Sequence, residues 1–325
     1  MVRILSADEP GAAEAAAARL ARGELVALPT ETVYGLAADA ADGRAVAAIY
    51  AAKARPRFNP LIAHVASIEM ATQHVVFDAA VRNLAEHFWP GPLTMVLPAS
   101  SASDIHVLAR AGLPTIAVRM PRGIARDVIE GLGRPVVAPS ANPSGKVSPT
   151  SAAHVARMLG GRVDLVLDGG PSSVGVESTI VRLEADRIVL LRPGGLSREA
   201  IEAASGLPVI SAAADAPIEA PGQMLSHYAP HGLVRLDATD VRPSEWLVRF
   251  GGGPVAGEGE AAGVSQLSLA GDIAEAAANL FAVLAELDAA RVERIAVMPI
   301  PREGIGEAVN DRLARAAAPR DIVEG

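Results

Sequence analysis

Short runs of apolar, strand-like residues alternate with helix-length segments along this chain. That alternation restricts it to layered α/β architectures. Residues 25–29, 61–65, 93–97, 115–118 and 136–138 read as buried strands. Residues 8–22, 43–54 and 79–88 read as helices, the first with Asp8 as N-cap and Gly23 as its stop. Residues 178–183 and 187–191 flank a short turn and read as a hairpin. Aromatic residues make up only 3% of the chain, so Ala, Val, Leu and Ile must fill its core.

The pattern breaks between residues 206 and 232, where Pro208, Pro217, Pro221 and Pro230 stand among small residues. Such a stretch reads as a linker that orders when it docks. Beyond it, strands at 246–250 and 295–299 and helices at 272–289 and 304–317 form a second α/β unit, with 251–263 as a loop. The expected division is therefore 1–205, 206–232 and 233–325.

With no cysteine in the sequence, disulfides, thiolate nucleophiles and Cys-ligated zinc are excluded. Asp8 and Glu9 stand near the start, where a signal peptide would be basic and then apolar. Every long apolar stretch is cut by Pro, Asp or Arg, so no membrane span is expected. A soluble, cytoplasmic protein is the expectation. The formal net charge of −8 excludes a whole-surface basic field for nucleic acid. A polyanion partner would need cations concentrated in one place.

Chemistry-bearing residues gather where strands end, the usual ligand position of open α/β sheets. Thr30, Glu31, Thr32 and Tyr34 follow the strand at 25–29; they fit a polar ligand or a strand-to-helix turn capped by Thr. Lys53, Arg55 and Arg57 fall within five positions, with Pro56 and Pro60 stiffening the loop. Guanidinium forks suit phosphate oxygens, although cations after a helix also balance its dipole. His64 lies inside the following strand, where a lone His is more often structural. Arg119 and Arg122 follow the strand at 115–118; Arg119 needs an anion if buried, either a ligand carboxylate or a structural Asp or Glu. The run from Ala138 through Ser140, Asn142 and Ser144 to Gly145-Lys146 presents small donors to phosphate, but it is not a P-loop. Glu177-Ser178 and Arg192-Pro193-Gly194-Gly195 stand at the two ends of the hairpin. His227 and His231 are four apart, but Pro230 argues against a helical zinc pair. No Ser-His-Asp relay or glycosidase-like carboxylate pair is evident. Cations and hydroxyls at strand ends suit electrostatic stabilisation more than covalent catalysis.

Together, PTETVYGL, KARPRFNPLIAHV, the SANPSG loop, EST followed by LRPGG, and SHYAP resemble the L-threonylcarbamoyl-AMP synthases, in the order that family has them. The EAVNDRL run at 307–313 resembles the second domain of its long form. The resemblance covers essentially the whole chain. It implies a twisted mixed-sheet catalytic domain of the YrdC type and a smaller, Rossmann-like α/β C-terminal domain. It implies synthesis of threonylcarbamoyl-AMP from L-threonine, bicarbonate and ATP, with pyrophosphate released and Mg2+ accompanying ATP. A separate transferase complex would then modify the tRNA adenosine beside the anticodon; direct tRNA binding is not required. By the same resemblance Thr32, His64, Arg119, Ala138 (through its backbone) and Ser178 contact threonine. Arg55, Asn59, Thr115, Ser140, Ser148, Arg192 and Tyr228 contact ATP, and Lys53, with Arg55, acts in catalysis. No protein-bound metal is implied. The segment 221–226 lacks the basic or aromatic residue often found before the His-Tyr pair. Rival expectations are an RNA-binding module, a carbamoyl-transfer enzyme of hydrogenase maturation, which usually carries Cys-rich zinc modules, and an ATP-binding regulator without chemistry.

Overall fold

In the computed structural model, which describes residues 2–213, 219–222 and 228–318, the apolar runs pair into two sheets. The larger takes β1 (Arg3–Ser6), β2 (Val26–Leu28), β3 (Gly35–Asp39), β4 (Ile62–His64), β5 (Leu93–Pro98) and β6 (Thr115–Arg119). It continues with β7 (Val136–Val137), β8 (Leu165–Asp168), β9 (Thr179–Leu183), β10 (Ile188–Arg192) and β11 (Val209–Ser211). The spatial order is β1-β8-β2-β3-β7-β4-β6-β5-β9-β10-β11, with parallel and antiparallel pairs mixed. Against it pack α1 (Ala12–Leu20), α2 (Gly43–Lys53), α3 (Ile68–His74), α4 (Ala79–Phe88), α5 (Ile124–Leu132), α6 (Ala152–Leu159) and α7 (Arg198–Ser205). The smaller sheet has β12 (Leu233–Arg235), β13 (Trp246–Phe250), β14 (Gly263–Ser268) and β15 (Arg294–Val297), in the order β12-β15-β13-β14 and all parallel. Helices α8 (Ile273–Ala289) and α9 (Gly306–Ala317) complete it. The fold is thus the expected α/β pair of a mixed-sheet unit and a smaller parallel-sheet unit.

Ile49, Leu61, Leu84 and Leu93 belong to the main core, which is aliphatic as the composition requires. Each such burial is worth about 1.5–3 kcal/mol. Helix starts follow side-chain caps: Asp42 accepts from the Arg44 N–H, Ser151 from His154 and Asp272 from Glu275. Among the described residues no helix is long and apolar enough to cross a membrane.

Several expectations need correction. α1 begins at Ala12 after Gly11, not at Asp8. The Thr30–Tyr34 segment joins two antiparallel strands, not a strand to a helix, because β2 pairs directly with β3. The linker expected to start at residue 206 contains β11, which extends the large sheet by parallel pairing with the free edge of β10. The loop expected at 251–263 is present up to Gly263, but it leads into β14, a strand not expected from the sequence, which pairs in parallel with β13 at the end of the smaller sheet. Ser226 and His227 lie outside the described residues.

The two units share apolar ground. Val33, Val147, Val176 and Tyr228 form one cluster with Leu280, Phe281 and Leu284 of α8. Arg198 of α7 reaches Glu307 of α9 at 2.6 Å.

Candidate active site

In the parallel pair β4–β6, His64 stands level with Arg119, so one strand end carries both. β5 runs antiparallel to β6 and parallel to β9, and β10 runs antiparallel to β9. That order brings the start of β9, with Ser178 just before it, and the end of β10, with Arg192, to the same rim. The loop after β2 reaches across to Arg119. A cavity of about 50 Å3 forms there. It is lined by Thr32, Arg55, His64, Arg119, Ala138, Ser140, Ser178, Arg192 and Tyr228, nine of the residues singled out from the sequence. Glu177, Pro221 and Gly222 also border it.

Arg119 is the best-determined group. It donates to Glu31 Oε1 at 2.7 Å, to Thr32 Oγ1 at 2.9 Å and to the Gly91 carbonyl at 3.1 Å. Of the two anions open to it from the sequence, a structural Glu is therefore present. Burial alone would raise the Glu31 carboxyl, but Arg119 and the Arg122 N–H outweigh it and hold it below its usual range. Burial, with Arg119 adding to it, pushes His64 down to about 3. His64 Nδ1 faces the Ile62 carbonyl at 3.1 Å. A carbonyl only accepts, so Nδ1 carries the proton and Nε2 is left as an acceptor.

Arg192 forms the opposite wall. Its Nη2 donates to the Ser178 carbonyl at 2.8 Å and Nη1 to the Pro221 carbonyl at 3.3 Å. Gly222, at φ +86°, lies so near that a Cβ there would come 2.7 Å from Arg192 Cδ. No larger residue fits that cover without moving it. Ser178 Oγ pairs with Thr94 Oγ1 at 2.7 Å. Arg55 donates to Asn59 Oδ1 at 2.7 Å and to the Pro60 carbonyl at 2.8 Å, which fixes its fork at the rim of α2.

Four predicted residues do not line the cavity. Lys53 is buried behind it, its Nζ bonded to the Ser140 carbonyl at 2.5 Å and to the Asn142 carbonyl. Burial, with Arg55 and Arg162 nearby, pushes its ammonium well below its ordinary value, while those carbonyl acceptors favour the charge. Asn59 lies beside Arg55, whose Nη2 donates to its Oδ1. Ser148 donates to Glu177 Oε1 at 2.6 Å. Thr115 starts β6, four residues before Arg119, so roughly 13 Å away along the strand.

Sequence reasoning assigned no role to Glu177 or Arg312, although both stand in quoted runs. Arg312 of α9 donates to Glu177 Oε2 at 2.7 Å and to the Pro193 carbonyl at 2.9 Å, and its guanidinium lies 5.2 Å from the Tyr228 ring centre. Burial would raise Glu177; Arg312 and Arg192 bring it down to about 2. Tyr228, pushed up to about 12 by burial, stays a neutral phenol and packs 5.3 Å from Phe281.

Buried guanidinium groups, hydroxyls and a neutral imidazole around one cavity suit the binding and charge stabilisation of an anionic ligand, as in a transferase of such substrates. The comparisons specify which. The family described as "Telomere recombination" matches residues 18–194, and "Threonylcarbamoyl-AMP synthase, C-terminal domain" matches 196–318. The threonylcarbamoyl-AMP synthase of Pyrococcus abyssi is 41% identical, over 94% of each chain. That of Bacillus subtilis is 40% identical, over 98% of this chain and 96% of its own. The crystal structure of P. abyssi Sua5 complexed with L-threonine superposes with a TM-score of 0.87 at 38% identity, covering 98% of this chain and 97% of that one. The chain belongs to the threonylcarbamoyl-AMP synthase family, enzymes of the nucleotidyltransferase type that bind ATP and serve tRNA processing.

Proposed function

We propose that this cavity joins L-threonine, bicarbonate and ATP into L-threonylcarbamoyl-AMP, releasing pyrophosphate, for modification of the tRNA adenosine beside the anticodon. The observation that carries the reading is Arg119, clamped by Glu31 and Thr32 beside neutral His64. A guanidinium has five N–H groups, and three are engaged, leaving two for the threonine carboxylate. The L-threonine held by the P. abyssi protein supports threonine as the amino acid. Thr32, His64, the Ala138 backbone and Ser178 complete its pocket in this reading. His64 Nε2 accepts from the threonine amine or hydroxyl.

The threonine nitrogen adds to the bicarbonate carbon with loss of water, giving a carbamate. A carbamate oxygen then attacks the α-phosphorus of ATP, and the bond to pyrophosphate breaks. Both steps build charge on oxygen, which Arg55, Arg192 and Ser140 are near enough to the cavity to stabilise. Lys53 fixes the Ser140–Asn142 backbone and supplies positive potential from behind. Asn59, Thr115 and Ser148 belong to the ATP side of an extended ligand that runs back along β6 from Arg119. A cavity of about 50 Å3 is smaller than the ~300–1,000 Å3 usual for such ligands. The cover formed by Pro221, Gly222 and Tyr228, between β11 and β12, therefore opens to admit ATP.

Among the described residues no group of three or more His, Asp and Glu is placed to hold a metal ion. In this reading Mg2+ enters on the ATP phosphates as part of the substrate. The product passes to a separate tRNA threonylcarbamoyl transferase complex in the cytoplasm. The test is pyrophosphate release from ATP and Mg2+, omitting threonine and bicarbonate in turn. Release that needs both is expected; release that needs neither overturns the reading.

A further inference from the structure

On β5, Leu93 and Met95 point into the main core, so Thr94 and Val96 face the other side of the sheet. There Val96 packs with Ile62, which lines the cavity. Thr94 is fully buried on that largely apolar face. Valine has nearly the same shape, and a buried hydroxyl costs stability unless it is paired. The Thr94 hydroxyl pairs with Ser178 Oγ at 2.7 Å, and among the described residues it has no other partner.

Ser178 lines the cavity. Its backbone is fixed, because Arg192 Nη2 and Nε donate to its carbonyl at 2.8 and 3.2 Å. Gly194 lies so close behind it that a Cβ there would overlap the Ser178 carbonyl carbon. What is left to vary is the direction of the Ser178 O–H.

Counting donors fixes that direction. A hydroxyl offers one hydrogen and two acceptor lone pairs, whereas a guanidinium only donates. Ser178 Oγ therefore accepts from Arg192 Nη2, 3.2 Å away. The Thr94 hydrogen is buried, and among the described residues Ser178 Oγ is the acceptor within its reach. If Ser178 donated to Thr94 instead, the Thr94 hydrogen would be left buried and unpaired. The Ser178 hydrogen has an alternative, since the cavity can bring it a ligand oxygen or water. Thr94 therefore donates, both lone pairs of Ser178 are taken, and the Ser178 O–H turns to the cavity. It is the counterpart of His64 Nε2, which meets the same cavity as an acceptor. At Ser178 a ligand ammonium finds no acceptor, while a carboxyl oxygen finds a donor.

We propose that Thr94 is a positioning residue that sets the Ser178 hydroxyl as a hydrogen-bond donor to a carboxylate or carbamate oxygen of the ligand. The proposal rests on the reaction assigned to the cavity, in which such oxygens come from threonine or from bicarbonate.

The test follows pyrophosphate release by the full chain as wild type, Thr94→Val, Thr94→Ala, Thr94→Ser, Ser178→Ala and Thr94→Val/Ser178→Ala. Calorimetric titration with L-threonine alone separates binding from turnover. Release by wild type that needs threonine establishes the reaction; its absence overturns the reaction and this proposal together. Thr94→Val is then expected to lower kcat/KM for threonine about five- to tenfold, and Thr94→Ser to stay within about twofold of wild type. Thr94→Ala is expected to match Thr94→Val, which shows that the loss comes from the missing hydroxyl and not from the methyl set against Ser178. With Ser178→Ala already present, Thr94→Val is expected to change kcat/KM by less than about twofold, because the group it orients is gone. A weaker threonine Kd in Thr94→Val assigns the oxygen to the threonine carboxylate, and an unchanged Kd with a lower kcat assigns it to the carbamate. Were the hydrogen bond reversed, Thr94→Val would leave the acceptor face of Ser178 untouched. An unchanged or raised kcat/KM in Thr94→Val and Thr94→Ala therefore overturns the proposal while the reaction stands. A full loss that persists in the Ser178→Ala background also overturns it, because Thr94 would then act through packing alone.

Discussion

Arg312 Nε of α9 lies 2.7 Å from Glu177 Oε2 in the cavity wall, both side chains buried, so the second unit supplies the counter-charge for a carboxylate of the first. Ser148 holds the other oxygen of that carboxylate. The pair ties the position of Glu177, and through it the ground beneath Arg192 and Tyr228, to the docking of α9.

Arg312→Met leaves Glu177 buried without its cation. A loss of about 3–5 kcal/mol in urea unfolding is expected. Adding Glu177→Met should recover much of that stability but not pyrophosphate release, since the wall is remade without its charge pattern. A double variant as unstable as the single one would show that the pair is not what Arg312 contributes.

Arg119→Lys keeps the charge but loses the fork that reaches Glu31, Thr32 and Gly91 together. Steady-state kinetics should show half-saturation by threonine rising about 10- to 100-fold, with that for ATP much less changed. An equal rise for both substrates would argue against a threonine-side role.

Tyr228 packs on Phe281 and beneath the Arg312 guanidinium, so the two substitutions of it separate ring from hydroxyl. Tyr228→Ala should destabilise the chain by about 3–5 kcal/mol and weaken ATP use. Tyr228→Phe should retain most of the stability; its ATP kinetics report the hydroxyl alone. Wild-type ATP kinetics in the Ala variant would remove Tyr228 from the cover.

His64 is held neutral, with a folded value of about 3 against its ordinary 6.5. Between those values the unfolded chain binds a proton that the native one does not, so stability falls as pH falls through that window. The slope is about 1.4 kcal/mol per pH unit. Glu177, at about 2 against 4.5, acts in the same direction: its contribution is present above pH 4.5 and is lost as pH falls toward 2. Denaturation of His64→Gln should lack the His64 share of the slope between pH 6.5 and 4.5, while the steeper loss below 4.5 remains. An unchanged slope in the variant would show that His64 is not held neutral.

The strand ends were legible because they need little context. Apolar runs of four or five residues bounded by Pro, Gly or charge located β2, β4, β5, β6, β9 and β10 to within a residue or two, and β13 with the bounds expected. β1, β3, β8, β12 and β14 were missed. Three of the five are only three or four residues long and owe their form to a neighbour, not to a pattern of their own. β11 was hidden inside a Pro-rich stretch because a free sheet edge recruited it.

Taken alone, the sequence determined the α/β class and the order of the motifs, because residue type and local spacing carry that information, and the resemblance those motifs carry pointed to nine of the residues that line the cavity. Only the tertiary structure decided which anion meets Arg119, that Lys53 faces backbone carbonyls from behind the cavity, and that Arg312 closes on Glu177 across 135 positions. Those pairings are set by where separate elements pack, and a buried charge takes whichever partner the packing brings within hydrogen-bond reach.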